Sequence, residues 1–180
     1  FLKDNTGNIY CKGNLKIMGQ NGGDIKGNLY VSDGTFNLNG FKLTVNGDAV
    51  VASSLNVNGG TLDVGGDLRI QREYTDEEGV KYYTAYNGRF IMQKEGSYVK
   101  VNGSFAVRSN NDHRELLTAG TLEVKGDFEH YPDWNRSFSP TGEFKILDKL
   151  VKYVISSEFL IPTIKPYIAE IIANILITIP

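Results

Sequence analysis

One phrase recurs along this chain and limits what it can fold into: Gly, then Asn, Asp or Ser, then two apolar residues separated by one other. It reads Gly7-Asn8-Ile9, Gly13-Asn14-Leu15-Lys16-Ile17, Gly27-Asn28-Leu29-Tyr30-Val31 and Gly47-Asp48-Ala49-Val50-Val51. Later copies are Gly66-Asp67-Leu68-Arg69-Ile70, Gly103-Ser104-Phe105-Ala106-Val107 and Gly126-Asp127-Phe128-Glu129-His130. From Gly13 onward the glycines stand 14, 20, 19, 37 and 23 residues apart. A sister phrase, Gly-Thr-apolar-x-apolar, sits at Gly34, Gly60 and Gly120. Short strands and turns repeating near every twenty residues are the signature of a solenoid.

The stretch from Gly34 to Gln71 carries the pattern most cleanly. Phe36-Asn37-Leu38, Leu43-Thr44-Val45, Leu55-Asn56-Val57, Leu62-Asp63-Val64 and Leu68-Arg69-Ile70 each alternate apolar and polar. A period of two places the apolar set on one face of each strand. Runs this short do not make self-sufficient hairpins. Three of them fill one twenty-residue unit, so the expected fold is mainly β: a right-handed parallel β-solenoid of three-strand coils. Glycine and asparagine would take the left-handed backbone at its corners. The expected inward ladder is Leu29, Val31, Leu43, Val45, Leu62, Val64, Leu68, Ile70, Leu122 and Val124. An antiparallel sandwich shows the same alternation, but a fixed period with the same residue types at the corners favours the solenoid.

The solenoid body is expected to span residues 1–130, with insertions near 72–89 and 108–117. The first reads as a protruding hairpin with Gly79 near its tip, and the second as a small polar loop. Solenoids tolerate such insertions because each coil touches only its neighbours. Residues 131–142 read as a loop, with Trp134 near Tyr131 sealing the end of the body. From 143 to 180 apolar residues recur at three and four, which predicts a short amphipathic helical segment. Leu147, Leu150, Val151 and Val154 would turn inward to cap the last coil, and membrane or partner contact by this tail is the rival reading. The segment from Ile168 to Ile179 is too short to span a bilayer. The chain opens Phe1-Leu2-Lys3-Asp4 without a methionine and reads as part of something longer or as a processed product.

Composition narrows the functional classes. A net charge of −2 leaves no basic excess for neutralising phosphates, which argues against nucleic acid as a partner. Cys11 is the only cysteine, so neither an intrachain disulfide nor a cysteine-based zinc site is available. The two histidines lack a metal-spaced partner. His113 lies in a polar stretch, and His130 falls in an inward slot at the end of a strand. Gly59-Gly60-Thr61-Leu62-Asp63 lacks the third glycine and tandem repeat of a calcium-binding nonapeptide. No cofactor is expected.

The phrases Gly-Asn-Leu-Tyr-Val, Asn-Gly-Phe-Lys-Leu-Thr-Val-Asn-Gly-Asp, Gly-Gly-Thr-Leu-Asp-Val-Gly-Gly-Asp-Leu-Arg-Ile-Gln and Ala-Gly-Thr-Leu-Glu-Val-Lys-Gly-Asp-Phe resemble repeats in large secreted or surface proteins of bacteria. The resemblance covers about residues 7 to 130 and implies an extracellular, elongated, non-catalytic module working beside other segments of a longer parent chain. A weaker similarity is to bactofilins, cytoskeletal β-helices that polymerise end to end, which would imply a cytoplasmic scaffold.

Polysaccharide lyases and hydrolases also use β-helices, and would need clustered charges on one outer face. Asp63, Arg69, Glu123, Asp127 and Glu129 are the candidates, each in a slot where a solvated charge is the default. A different class is carbohydrate binding. Tyr74, Tyr82, Tyr83 and Tyr86 crowd the first insertion, and rings with a polar tip suit glycans or a surface protein. The alternative role for these tyrosines is to pack the insertion onto the solenoid wall. The leading expectation remains a structural or adhesive module that is not an enzyme.

Overall fold

The computed structural model describes residues 2–3, 6–19, 22–131 and 136–148, over which the chain winds into a parallel β-solenoid of about six turns. The first coil is β2 (Ile9–Lys12), β3 (Leu15–Lys16) and β4 (Gly23–Ile25), preceded by β1 (Leu2–Lys3). The second is β5 (Leu29–Asp33), β6 (Thr35–Asn37) and β7 (Lys42–Val45), and the third is β8 (Ala49–Val51), β9 (Ser54–Asn56) and β10 (Thr61–Val64). In the fourth coil, β11 (Leu68–Ile70) is followed by an inserted hairpin, β12 (Arg72–Thr75) and β13 (Lys81–Thr84). The coil then resumes as β14 (Arg89–Ile91) and β15 (Tyr98–Val101). The fifth coil has β16 (Phe105–Val107) and β17 (Ala119–Val124), and the sixth has β18 (Phe128–His130) and β19 (Glu143–Asp148).

These strands stack into three faces. The first runs β1-β2-β5-β8-β11-β16-β18, the second β3-β6-β9-β14, and the third β4-β7-β10-β15-β17-β19. Every pairing within the faces is parallel except β1 with β2, which closes the edge of the first face in antiparallel fashion. Register follows the alternation: Leu43, Leu62, Val99 and Leu122 stack in one row, and Val45, Val64, Val101 and Val124 in the next. The ten positions expected inside are each no more than 2% exposed. Burying a Leu or Val side chain contributes about 1.5–3 kcal/mol, so these rows supply much of the drive to fold.

The recurring phrase occupies the corner before the first face. There Asn28 N–H donates to Asn8 Oδ1 (2.7 Å), Asp48 N–H to Asn28 Oδ1 (2.8 Å) and Asp67 N–H to Asp48 Oδ1 (2.8 Å). The series continues with Ser104 N–H to Asp67 Oδ1 (2.8 Å) and Asp127 N–H to Ser104 Oγ (3.1 Å). Beside it, each glycine N–H donates to the glycine carbonyl one coil below, from Gly27 on Gly7 to Gly126 on Gly103. A β-carbon on Gly47, Gly66 or Gly103 would overlap the Asn or Asp oxygen beneath it. Close approach, not a left-handed backbone, therefore demands glycine at these three positions. Paired residues of positive φ mark the corner before the third face, Asn39 (54°) with Gly40 (82°) and Asn58 (47°) with Gly59 (79°), while single glycines adopt it at Gly7 (86°) in the first-face corner and Gly34 (66°) in the second-face corner.

Three-dimensional register also re-sorts the copies of the phrase. Gly27 stacks on Gly7, twenty residues earlier, whereas Gly13 lies beneath Gly34 at the next corner. The interval of 14 residues from Gly13 to Gly27 therefore joins two different corners.

The C-terminal part departs from the helical expectation. Glu143–Asp148 is a strand paired with β17 over six residues, and there is no helix among the described residues. Phe144 is buried and Ile146 packs partly against the core, while Leu147 is 52% exposed and faces outward. The open edge of β17 favours a strand here, and the two-residue alternation overrides spacings of three and four. Leu147 therefore does not cap the core. Leu150, Val151, Val154 and the rest of the expected helices lie outside the described residues, as does Trp134.

Two stretches expected as loops contribute to the interior. Residues 108–117 substitute for the missing second-face strand of the fifth coil, bridging in parallel at Tyr86 with Ser109 and Met92 with Leu117. Ser109, His113 and Leu117 are buried there. From the expected loop over 131–142, Ser137 and Phe138 are buried in the sixth coil.

Gly103→Ala should lower unfolding stability by about 2–3 kcal/mol, because its β-carbon meets the Gly66 backbone as well as Asp67. Gly13→Ala, in the same phrase but with open space around it, should change stability by less than about 1 kcal/mol. Urea unfolding of both variants checks this, and equal losses would contradict the corner geometry.

Candidate functional site

The hairpin β12–β13 is built by its turn. Asp76 Oδ1 accepts the N–H groups of Glu78 (3.0 Å) and Val80 (2.8 Å), and Gly79 supplies the positive φ of 82° that closes it. Cross-strand pairs run Arg72 with Thr84, Glu73 with Tyr83, Tyr74 with Tyr82 and Thr75 with Lys81. Alternation then divides the side chains between two faces of the hairpin.

Glu73, Lys81 and Tyr83 turn toward the solenoid. The Arg69 guanidinium lies 4.4 Å from the Tyr83 ring centroid, and the Tyr83 hydroxyl donates to Glu73 Oε2 at 3.1 Å. Lys81 Nζ is 3.0 Å from Glu73 Oε1 and 6.0 Å from the Tyr30 ring. Burial pushes the Tyr83 hydroxyl pKa up, with help from the Glu73 charge, while the hydrogen bond to Glu73 raises that of Lys81. The hairpin lies against β8, and Val50, on the outer side of that strand, is only 4% exposed. The insertion expected to protrude therefore folds back along the first face.

Tyr74 and Tyr82 point the other way. Their rings stack at 5.2 Å with 18° between planes, and both are exposed. Tyr86 is separate, half-buried beneath the Arg72 guanidinium at 4.9 Å. Of the four candidate tyrosines, only this stacked pair offers open rings.

A second stacked pair went unnoticed in the sequence. Tyr10 and Tyr30 lie in register on the outer side of the first face, 4.9 Å apart and 9° from coplanar. Both occupy the slot after Gly-Asn-apolar, twenty residues apart, so the repeat itself carried the signal.

The charged candidates do not converge. Arg69 is paired with Asp67 at 2.7 Å, and Asp63 accepts from Asn102 at 3.0 Å. Glu129 accepts from the Tyr131 hydroxyl at 2.7 Å, and Asp127 stands at the last corner of the ladder. Glu123 binds Lys125 and the Tyr98 hydroxyl, which hold its pKa below the usual carboxylate range. The same hydrogen bond pushes the Tyr98 hydroxyl up to about 12. Asp63 and Glu123 belong to the third face, Arg69 and Glu129 to the first.

The densest ionic contact is elsewhere, at a shallow depression of about 430 Å³ lined by Arg89, Asn111, Asp112, Arg114, Glu115 and Leu116. Arg114 grips both oxygens of Asp112, with Arg136 at 3.4 Å, and the Arg114 hydrogen bonds lower the Asp112 pKa to about 2. Among the described residues, no group of three or more His, Cys, Asp or Glu is placed to hold a metal ion, and no helix is long and apolar enough to cross a membrane. The Cys11 thiol is buried and donates to the Gly13 carbonyl at 2.9 Å.

No protein-family model matches the chain, and no similar curated protein or solved structure is found. The likeness to bacterial surface repeats and to bactofilins thus rests on the repeat phrases alone.

Tyr83→Ala should cost about 1–3 kcal/mol, since it removes a half-buried ring together with its contacts to Arg69 and Glu73. Replacing exposed Tyr74 and Tyr82 together with alanine should cost less than about 1 kcal/mol. Chemical denaturation ranks the variants, and a neutral Tyr83→Ala would mean that the hairpin does not rest on the solenoid.

Proposed function

We propose that this chain is a non-catalytic structural module with an adhesive role, a right-handed rod segment of a larger bacterial surface or secreted protein. The observation that carries this reading is the corner ladder, which runs unbroken from Asn8 to Asp127 through six coils. Continuous axial hydrogen bonding makes a stiff spacer, roughly 25–30 Å long at the ordinary interstrand distance. Its right hand follows from the twist of the strands, which favours right-handed crossovers between parallel neighbours. Under load such a stack yields one coil at a time. Single-molecule pulling should give successive steps of about 7 nm, the contour of a twenty-residue coil. Collapse in one low-force event would count against a mechanical role.

A second reading, of a binding module, is favoured by the exposed Tyr74–Tyr82 stack. A pyranose ring laid on these faces would bind weakly as a single contact, and more tightly when the module is repeated in a parent chain. A glycan array probed with the intact protein and with the Tyr74→Ala/Tyr82→Ala variant separates the two readings. Binding abolished in the variant supports the module, and no binding, or binding unchanged by the variant, removes it.

A further inference from the structure

Both histidines of the chain are built into the closure of the last two coils. His113 is fully buried; its Nε2 accepts the Phe90 N–H at 3.1 Å, and its Nδ1 lies 3.1 Å from the Asn111 carbonyl oxygen. One ring nitrogen must be bare and the other must carry hydrogen, so the imidazole is neutral and protonated at Nδ1. The His113 backbone N–H donates to the Arg136 carbonyl at 3.0 Å, and its own carbonyl accepts from Leu116 and Leu117. This residue therefore ties the fourth coil, the irregular fifth coil and the segment that closes the sixth.

His130 ends β18 with Nε2 2.8 Å from the Oγ of buried Ser137. The next residue, Phe138, fills the end of the core. Its ring centroid lies 5.7 Å from Phe105, 5.1 Å from Phe128 and 6.2 Å from Phe144. The ring of His130 is 6.2 Å from that of Phe138.

The surroundings of both rings oppose a proton. At His113 burial dominates; the Asn111 carbonyl and Asp112 favour the charged form, but Arg89 and His130 disfavour it. Asp112 is itself engaged by Arg114 and Arg136. At His130 burial alone acts, and its neighbours Glu129 and Tyr131 are bonded to each other. A proton on Nε2 of His113 would also set donor against donor at the Phe90 N–H. Both rings are accordingly held down near 4, against 6.5 for an exposed histidine. A folded-state pKa below the unfolded one means that stability is complete above about pH 6.5, declines as pH falls toward 4, and loses nothing further from these groups below that.

We propose that the C-terminal end of the solenoid is an acid-released latch, in which protonation of His113 and His130 frees the Arg136–Phe138 segment and opens the last two coils. Opening stays local because coils interact only with their neighbours and the first three coils contain no histidine. Release uncovers Phe105, Phe128, Phe138 and Phe144, converting the closed end into an apolar contact surface in acid.

Hydrogen exchange of the full chain at pH 7.5 and 5.0, corrected for intrinsic rates, tests this. Protection within 105–131 and 136–148 should fall about thirtyfold for each histidine at pH 5.0, while residues 29–64 keep theirs. Uniform loss along the body, or no loss, would overturn the latch. His113→Gln and His130→Gln retain hydrogen-bonding capacity without a titratable ring, and each should remove about thirtyfold of the pH response. Thermal melting at pH 7.5 establishes that each variant is folded. If His113→Gln fails that criterion, His130→Gln alone decides, and an undiminished response in it overturns the proposal.

Discussion

Where a coil turns from its third face to its first, strand pairing lapses and the backbone N–H of the turning residue needs another acceptor. These groups are only partly shielded from water, so each bond contributes about 0.5–1.5 kcal/mol, and the stack repeats it at successive corners. The chain meets the need with the side chain of the equivalent residue one coil below: Asn8 serves Asn28, Asn28 serves Asp48, and Asp48 serves Asp67. That solution fixes a second residue. The oxygen can reach its donor only if the preceding residue of the upper coil has no β-carbon, so glycine and the polar residue are required together. The phrase repeats in the sequence because one hydrogen bond repeats in space. The inward rows of the first face begin one residue beyond this corner and keep its register from coil to coil.

Much of this could be read in advance, because the alternation at Leu62-Asp63-Val64 or Leu68-Arg69-Ile70 depends only on the two-residue period of a strand. What escaped was contextual. Phe144, Ile146 and Leu147 fit either a helical stripe or a strand, and only the open edge of β17 decides between them. His113 stands in a run of polar residues, yet it is buried against the Phe90 amide one coil below because its own coil lacks a regular second-face strand. Gly13 carries the same phrase as Gly27 but belongs to another corner, which spacing alone does not reveal. The tyrosines of the insertion formed one cluster in the sequence, and the hairpin's alternation divided them between contact with Arg69 and exposure to solvent.

The stack thus joins regions of different character. Its first three coils are regular and carry the Tyr10–Tyr30 pair on their outer wall. The fourth adds a hairpin that leans back on that wall and displays a second pair. The fifth and sixth replace strand regularity with polar loops, a phenylalanine plug and two neutral histidines. A solenoid permits such division because each coil depends only on its neighbours, so a contact surface can be added at one place without disturbing the rod elsewhere.

The amides of Asn28, Asp48, Asp67, Ser104 and Asp127 bear most directly on this account, since each sits at a corner where an ordinary turn would leave its N–H to water. Residue-resolved NMR hydrogen exchange at neutral pH should find the central three, Asp48, Asp67 and Ser104, protected as strongly as the strand amides of Leu62 and Val64. Exchange of those three at the rate of an exposed loop would contradict the ladder and, with it, the physical reason given for the repeat.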